Sequence, residues 1–147
     1  MKKIIVFLFC FSLSSCNQTV KSKQKCFGVV QGDIVFPGEG IPSDLKVCAL
    51  DLMKNQLYSF KKRIVNPKTN LFCYSLSLPE GSYVLYAETS DFINANHNSI
   101  TEKGYYTDFV KNKHYLDSVN SSHKPITIQI HCNDTLKEIT VGDFWGN

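Results

Sequence analysis

From Phe27 onward, apolar and polar residues alternate in short runs separated by turn formers. Val30, Gly32, Ile34 and Phe36 share one parity, with Gln31 and Asp33 between them, until Pro37-Gly38-Glu39-Gly40 ends the run. Leu45, Val47 and Ala49 alternate with Lys46 and Cys48, and a segment from Leu57 to Phe60 follows a turn at Lys54-Asn55. The clearest case sets Phe72, Tyr74, Leu76 and Leu78 against Cys73, Ser75 and Ser77. Pro79-Glu80-Gly81 then predicts a tight turn, because Pro79 sets the chain direction and Gly81 is free to take a positive φ. Tyr83, Leu85 and Ala87 continue beyond it as the second arm of a hairpin. Tyr83 points inward, where its hydroxyl needs a partner. Ile126, Ile128 and Ile130 alternate with Thr127 and Gln129, and Leu136, Ile139 and Val141 come last. A period of two puts successive side chains on opposite faces of a strand, so the pattern predicts about seven short strands. Strands with one apolar face each are stable only when two sheets bury those faces together. The expectation is an all-β chain, with a single β-sandwich of about seven strands over residues 26–147.

The stretch at about 90–124 has no sustained period and is expected to be a long loop. It carries Tyr105, Tyr106, Phe109 and Tyr115. Aromatic side chains there either pack over the end of the sandwich or form a surface for a carbohydrate or small ligand.

The N-terminal residues follow a different pattern. Lys2 and Lys3 precede an apolar run from Ile4 to Leu13, followed by Ser14, Ser15 and Cys16. A basic head, a short apolar stretch and small residues before a cut site describe a secretory signal peptide over residues 1–15. The run is too short for a membrane span, which needs roughly 20 residues. Leu13-Ser14-Ser15-Cys16 resembles the bacterial lipobox. The resemblance implies that the Cys16 thiol carries a diacylglycerol and that cleavage falls just before it. Two or more acyl chains hold a protein stably on a membrane. Residues 16–25, poor in apolar side chains, are expected to form a flexible tether. Asn17, in place of the aspartate associated with inner-membrane retention in enteric bacteria, points to the outer membrane.

Loss of Lys2 and Lys3 lowers the basic count from 16 to 14 against 13 acidic residues, so the mature domain is close to neutral. Lys61-Lys62-Arg63 is the one dense basic run and suits a solvated strand edge. Nucleic acid is therefore not an expected partner. Of the six cysteines, Cys10 leaves with the signal and Cys16 takes the lipid. Cys26, Cys48, Cys73 and Cys132 remain, compatible with disulfides in an oxidising compartment and with three connectivities among which sequence does not choose. Neither a zinc ribbon nor a redox pair is indicated, since no C-x-x-C occurs.

The segment SLSLPEGSYVLYAE is similar to the hairpin motif of carboxypeptidase regulatory-like and transthyretin-like domains. GDIVFPGEGIP before it and VGDFW after it look like a lipoprotein-associated branch of that group. The resemblance implies a single Ig-like or prealbumin-like β-sandwich used as an accessory, adhesive or spacer module, and fold of this kind does not carry function. His97, His114, His123 and His131 match no metal spacing, and the carboxylate pairs Glu39 with Asp44 and Glu88 with Asp91 read as turn and surface acids. There is no nucleophile elbow and no phosphate loop, so no catalytic residue, metal or cofactor is expected. Asp117-Ser118-Val119 and Asp134-Thr135-Leu136 resemble the O-glycosylation sequon of Bacteroidetes exported proteins, with Ser118 and Thr135 as acceptors. The chain is thus expected to be a non-enzymatic, lipid-anchored envelope module whose partner is a protein or glycan. The alternatives are a ligand binder using the aromatic loop, or a hydrolase using His114 or His123.

Overall fold

The computed structural model describes residues 26–37, 41–61, 64–67, 71–93, 99–111 and 122–144. The signal segment, Cys16, the tether, His97, His114, Tyr115 and Ser118 lie outside the described residues. Among the described residues, nine strands and one short helix run in the order β1 (Phe27–Ile34), β2 (Lys46–Asp51), β3 (Gln56–Phe60), β4 (Ile64–Val65), β5 (Phe72–Pro79), β6 (Gly81–Ile93), β7 (Ser99–Tyr105), α1 (Asp108–Lys111), β8 (Thr127–Ile130) and β9 (Thr135–Leu136). They form two sheets, one ordered β4-β5-β1-β9 and the other β3-β2-β6-β7, with β8 also on β6. The inward residues of both sheets make one core. Val30, Ile34, Tyr74, Leu76 and Leu78 from the first meet Val47, Ala49, Tyr83, Leu85, Ala87, Ile128 and Ile130 from the second. This is the β-sandwich that the alternation predicts, with β4 and β7 added to the seven expected strands.

Three local expectations are corrected. β5 and β6 do not form a hairpin, for they belong to different sheets with only Glu80 between them. The chain turns a corner from one sheet to the other. Glu80 donates its N–H to the Cys26 carbonyl at 3.1 Å, and the Tyr83 hydroxyl donates back to the Pro79 carbonyl at 2.9 Å. Alternation reports which face is buried and says nothing about which strand lies alongside. Gly81 is not among the residues with positive φ. Its role is space, since a Cβ there would sit 3.2 Å from the Tyr83 ring.

The region at 90–124 is not one loop. β6 runs on to Ile93, β7 pairs with it, and α1 follows. A register shift between Thr89 and Phe92 interrupts the β6–β7 ladder. Such a bulge switches the parity of the side chains, which hides the strand from a period-two search.

β6 is the long element, and its second edge is divided. β8 pairs with Gly81 to Val84 and β7 takes over from Tyr86. Register also orders the two ends of the sandwich. At one end Phe27 pairs with Pro79, Asp51 with Gln56 and Gly81 with Ile130. At the other lie Ile34, Lys46 and Glu88. We call these the proximal and distal ends. Along β6, Gly81 and Thr89 are separated by roughly 27 Å at about 3.4 Å per residue.

The C-terminal segment is a strap along β1. Asp134 and Val141 accept from Val29 and Val35, while Ile139 and Val141 donate to Gln31 and Asp33. The Tyr74 hydroxyl reaches over β1, past Gly32 opposite it, to the Ile139 carbonyl at 2.5 Å.

Candidate functional site

A polar cleft of about 330 Å³ opens at the distal end, lined by Asp44, Lys46, Lys61, Glu88, Thr89, Ser90 and Thr101. Each side chain is placed by strand register. Lys46 opens β2 opposite Glu88, and Lys103 faces Glu88 from β7. The Lys46 ammonium lies 2.8 Å from Glu88 and that of Lys103 lies 4.0 Å away. The hydrogen bond to Glu88 is the main cause that raises the Lys46 pKa. Lys103 also stands 5.0 Å above the Tyr86 ring, which is tilted against Tyr105 at 5.3 Å.

Asp44 precedes β2 and bridges to the bulge in β6. Its carboxylate accepts from Thr89 Oγ1 at 2.6 Å, from the Ser90 N–H at 2.6 Å and from Ser90 Oγ at 2.5 Å. Burial pushes the Asp44 pKa up, but the hydrogen bonds from Ser90 and Thr89 outweigh it and hold the group at about 2. At neutral pH this carboxylate is ionised, and three donors already occupy it. Such a group is a poor proton carrier, because general acid–base catalysis favours a pKa near the working pH. The cleft is suited to holding a polar partner through hydroxyl, ammonium and carboxylate groups.

Below the cleft, Cys48 is fully buried on the outer face of its sheet and bonded to Tyr86. Burial pushes its thiol up to about 11. A second concavity of about 470 Å³ lies on the opposite sheet between Gln31, Asp33, Cys73, Ser75 and the strap residues Lys137 and Glu138. There the Cys73 thiol donates to the Ile64 carbonyl at 3.1 Å.

A third polar cluster is internal. The buried Asp143 carboxylate accepts from Thr107 Oγ1 at 2.6 Å and lies 2.9 Å from His123 Nδ1. The His123 ring packs on Phe109 at 4.8 Å. The histidine is thereby used as a clamp between α1 and the C-terminal segment. Among the described residues, no three His, Cys, Asp or Glu side chains are grouped to hold a metal ion.

The residues singled out by sequence fall in several places. Cys26 is bonded to Cys132, while Cys48 and Cys73 are free thiols on different sheets. Tyr106 and Phe109 are core residues at 5% and 7% exposure, so they offer no aromatic ligand platform, and Tyr105 is half-buried against Tyr86. Thr135 is exposed on β9. His131 stands at the proximal end, 3.7 Å from Glu80. Sequence reasoning paired Asp44 with Glu39 and Glu88 with Asp91. The fold instead brings Asp44 and Glu88, 44 positions apart, to line one cleft across β2 and β6, which no local spacing displays. Asp143 and Thr107 were also missed, since each looks like an ordinary polar residue until burial is known.

No protein-family model and no curated protein matches this chain. A leucine-rich repeat protein from Bacteroides thetaiotaomicron VPI-5482, known from a crystal structure, superposes with a TM-score of 0.40 at 10% identity. The match covers 80% of this chain and 14% of that one, and at this score it carries no argument.

Proposed function

We propose that this protein is a lipid-anchored envelope module without catalytic activity, which holds a protein or glycan partner at its distal polar cleft. The observation that carries the reading is the disulfide. Cys26, ten residues after Cys16, is bonded to Cys132, a linkage that fits an oxidising compartment outside the cytosol. The Leu13-Ser14-Ser15-Cys16 sequence supplies the anchor, and Asn17 favours the outer membrane. The likeness of SLSLPEGSYVLYAE to carboxypeptidase regulatory-like and transthyretin-like domains agrees with an accessory role. The occupied state of Asp44 and the clamping role of His123 favour binding over proton transfer. Among the described residues no helix is long and apolar enough to cross a membrane.

The test is metabolic labelling with an alkyne fatty acid, followed by mass spectrometry of the N-terminal peptide. The wild-type chain is expected to carry acyl groups on Cys16, and Cys16→Ala to abolish labelling and release the protein from membranes. Equal membrane retention of the unlabelled variant would overturn the anchor.

A further inference from the structure

The proximal end, from which the tether leaves, carries a rim of exposed apolar side chains. Cys26 is the first described residue, and Phe27 next to it is 44% exposed. Beside it, the β2–β3 turn presents Leu52 at 47% and Met53 at 81% exposure. Backbone bonds bring these segments to one end. Glu80 donates to Cys26, and Leu52 donates to Ser82, two residues beyond Glu80. The turn is built to hold its shape. Buried Asp51 accepts the N–H groups of Met53 and Lys54 at 2.9 and 3.0 Å and the Lys54 ammonium at 3.0 Å, and Asn55 takes a φ of 51°. The fixed turn thus keeps a leucine and a methionine facing water.

We propose that this rim rests on the bilayer that carries the lipid, with Phe27, Leu52 and Met53 entering its interface. The proposal rests on the lipid-anchor reading. The occupant follows from where the chain goes. Residues 17–25 reach at most about 32 Å, at 3.3–3.6 Å per residue, so the proximal end stays within that distance of the surface. A short linker raises the effective concentration of the tethered rim at the membrane to the millimolar range, so weak apolar contacts suffice. The Lys54 ammonium at the same turn is paired with buried Asp51, and Glu80 stands beside His131, so the apolar side chains carry the contact. The distal cleft then faces away from the membrane.

The test uses the full-length lipidated protein in vesicles of phosphatidylethanolamine and phosphatidylglycerol containing a spin-labelled acyl chain. Trp145 is replaced by phenylalanine, and one indole is introduced through Met53→Trp or, at the distal end, Lys61→Trp. The expected result is loss of most emission at position 53, with a blue shift, and little loss at position 61. Equal and weak quenching at both positions in a protein that carries its acyl mass overturns the docking alone. Absence of the acyl mass overturns the anchor and the docking together. In the Met53→Trp protein, a Phe27→Ser/Leu52→Ser pair is expected to reduce the quenching at position 53 while leaving acylation intact, and quenching unchanged by that pair would assign the contact elsewhere.

Discussion

A single methyl group on Gly142 has nowhere to go. The residue sits at φ 132°, and a Cβ would stand 1.9 Å from the Val35 carbonyl oxygen. This is where the strap closes over the end of β1, so the strain cannot be relieved without moving two backbone segments. Gly142→Ala is expected to cost at least about 2–3 kcal/mol, read as a lower urea midpoint with an unchanged slope. Nothing in VGDFW announced this, because glycine looks the same in sequence whether it supplies a turn or a close approach. Tyr83 was more legible. Its place in an apolar parity predicted burial, and a buried hydroxyl predicted a partner, which proves to be the Pro79 carbonyl. Burial raises its pKa to about 12, with Asp51 nearby adding to the effect.

At the scale of elements, the alternation identified β1, β2, β5, the inner half of β6 and β8, because each has one face against a single core. It could not show that β5 and β6 part company at Glu80, since both strands are buried on the same parity in either topology. Nor could it find β7, whose pairing with β6 is broken by the bulge at Thr89. That bulge is tied to the segment before β2 by Asp44, which gives the staple a pH dependence. The folded pKa of Asp44 is depressed to about 2, below the ordinary carboxylate value of about 3.9. Its contribution to stability is therefore complete above pH 4 and is lost as the pH falls from about 4 towards 2. In melts across that range, Asp44→Asn is expected to flatten the acid limb of the stability curve while lowering stability at pH 7. An acid limb of the same slope in the variant would remove Asp44 as its source.

For the whole molecule, the decisive covalent feature is the Cys26–Cys132 bond across 106 positions. Counting cysteines left three pairings open. The fold resolves them by placing Cys48 and Cys73 on the outer faces of different sheets while Cys26 and Cys132 meet at the proximal end. Replacing both bonded cysteines with alanine is expected to cost about 2–5 kcal/mol in chemical denaturation, the usual effect of removing a native disulfide that closes a long loop. Stability equal to wild type would mean that the bond is dispensable. The same bond also determines how the domain meets a pull. Tension entering from the N-terminal side at Cys26 divides at once between β1 and the chain around Cys132, where β8 arrives and β9 departs. β1 and β9 leave this point in parallel, and ladder bonds stand across the strands. A tug towards the distal end therefore shears many hydrogen bonds together instead of peeling them one at a time, and the bonded Cys26 becomes a mechanical yoke.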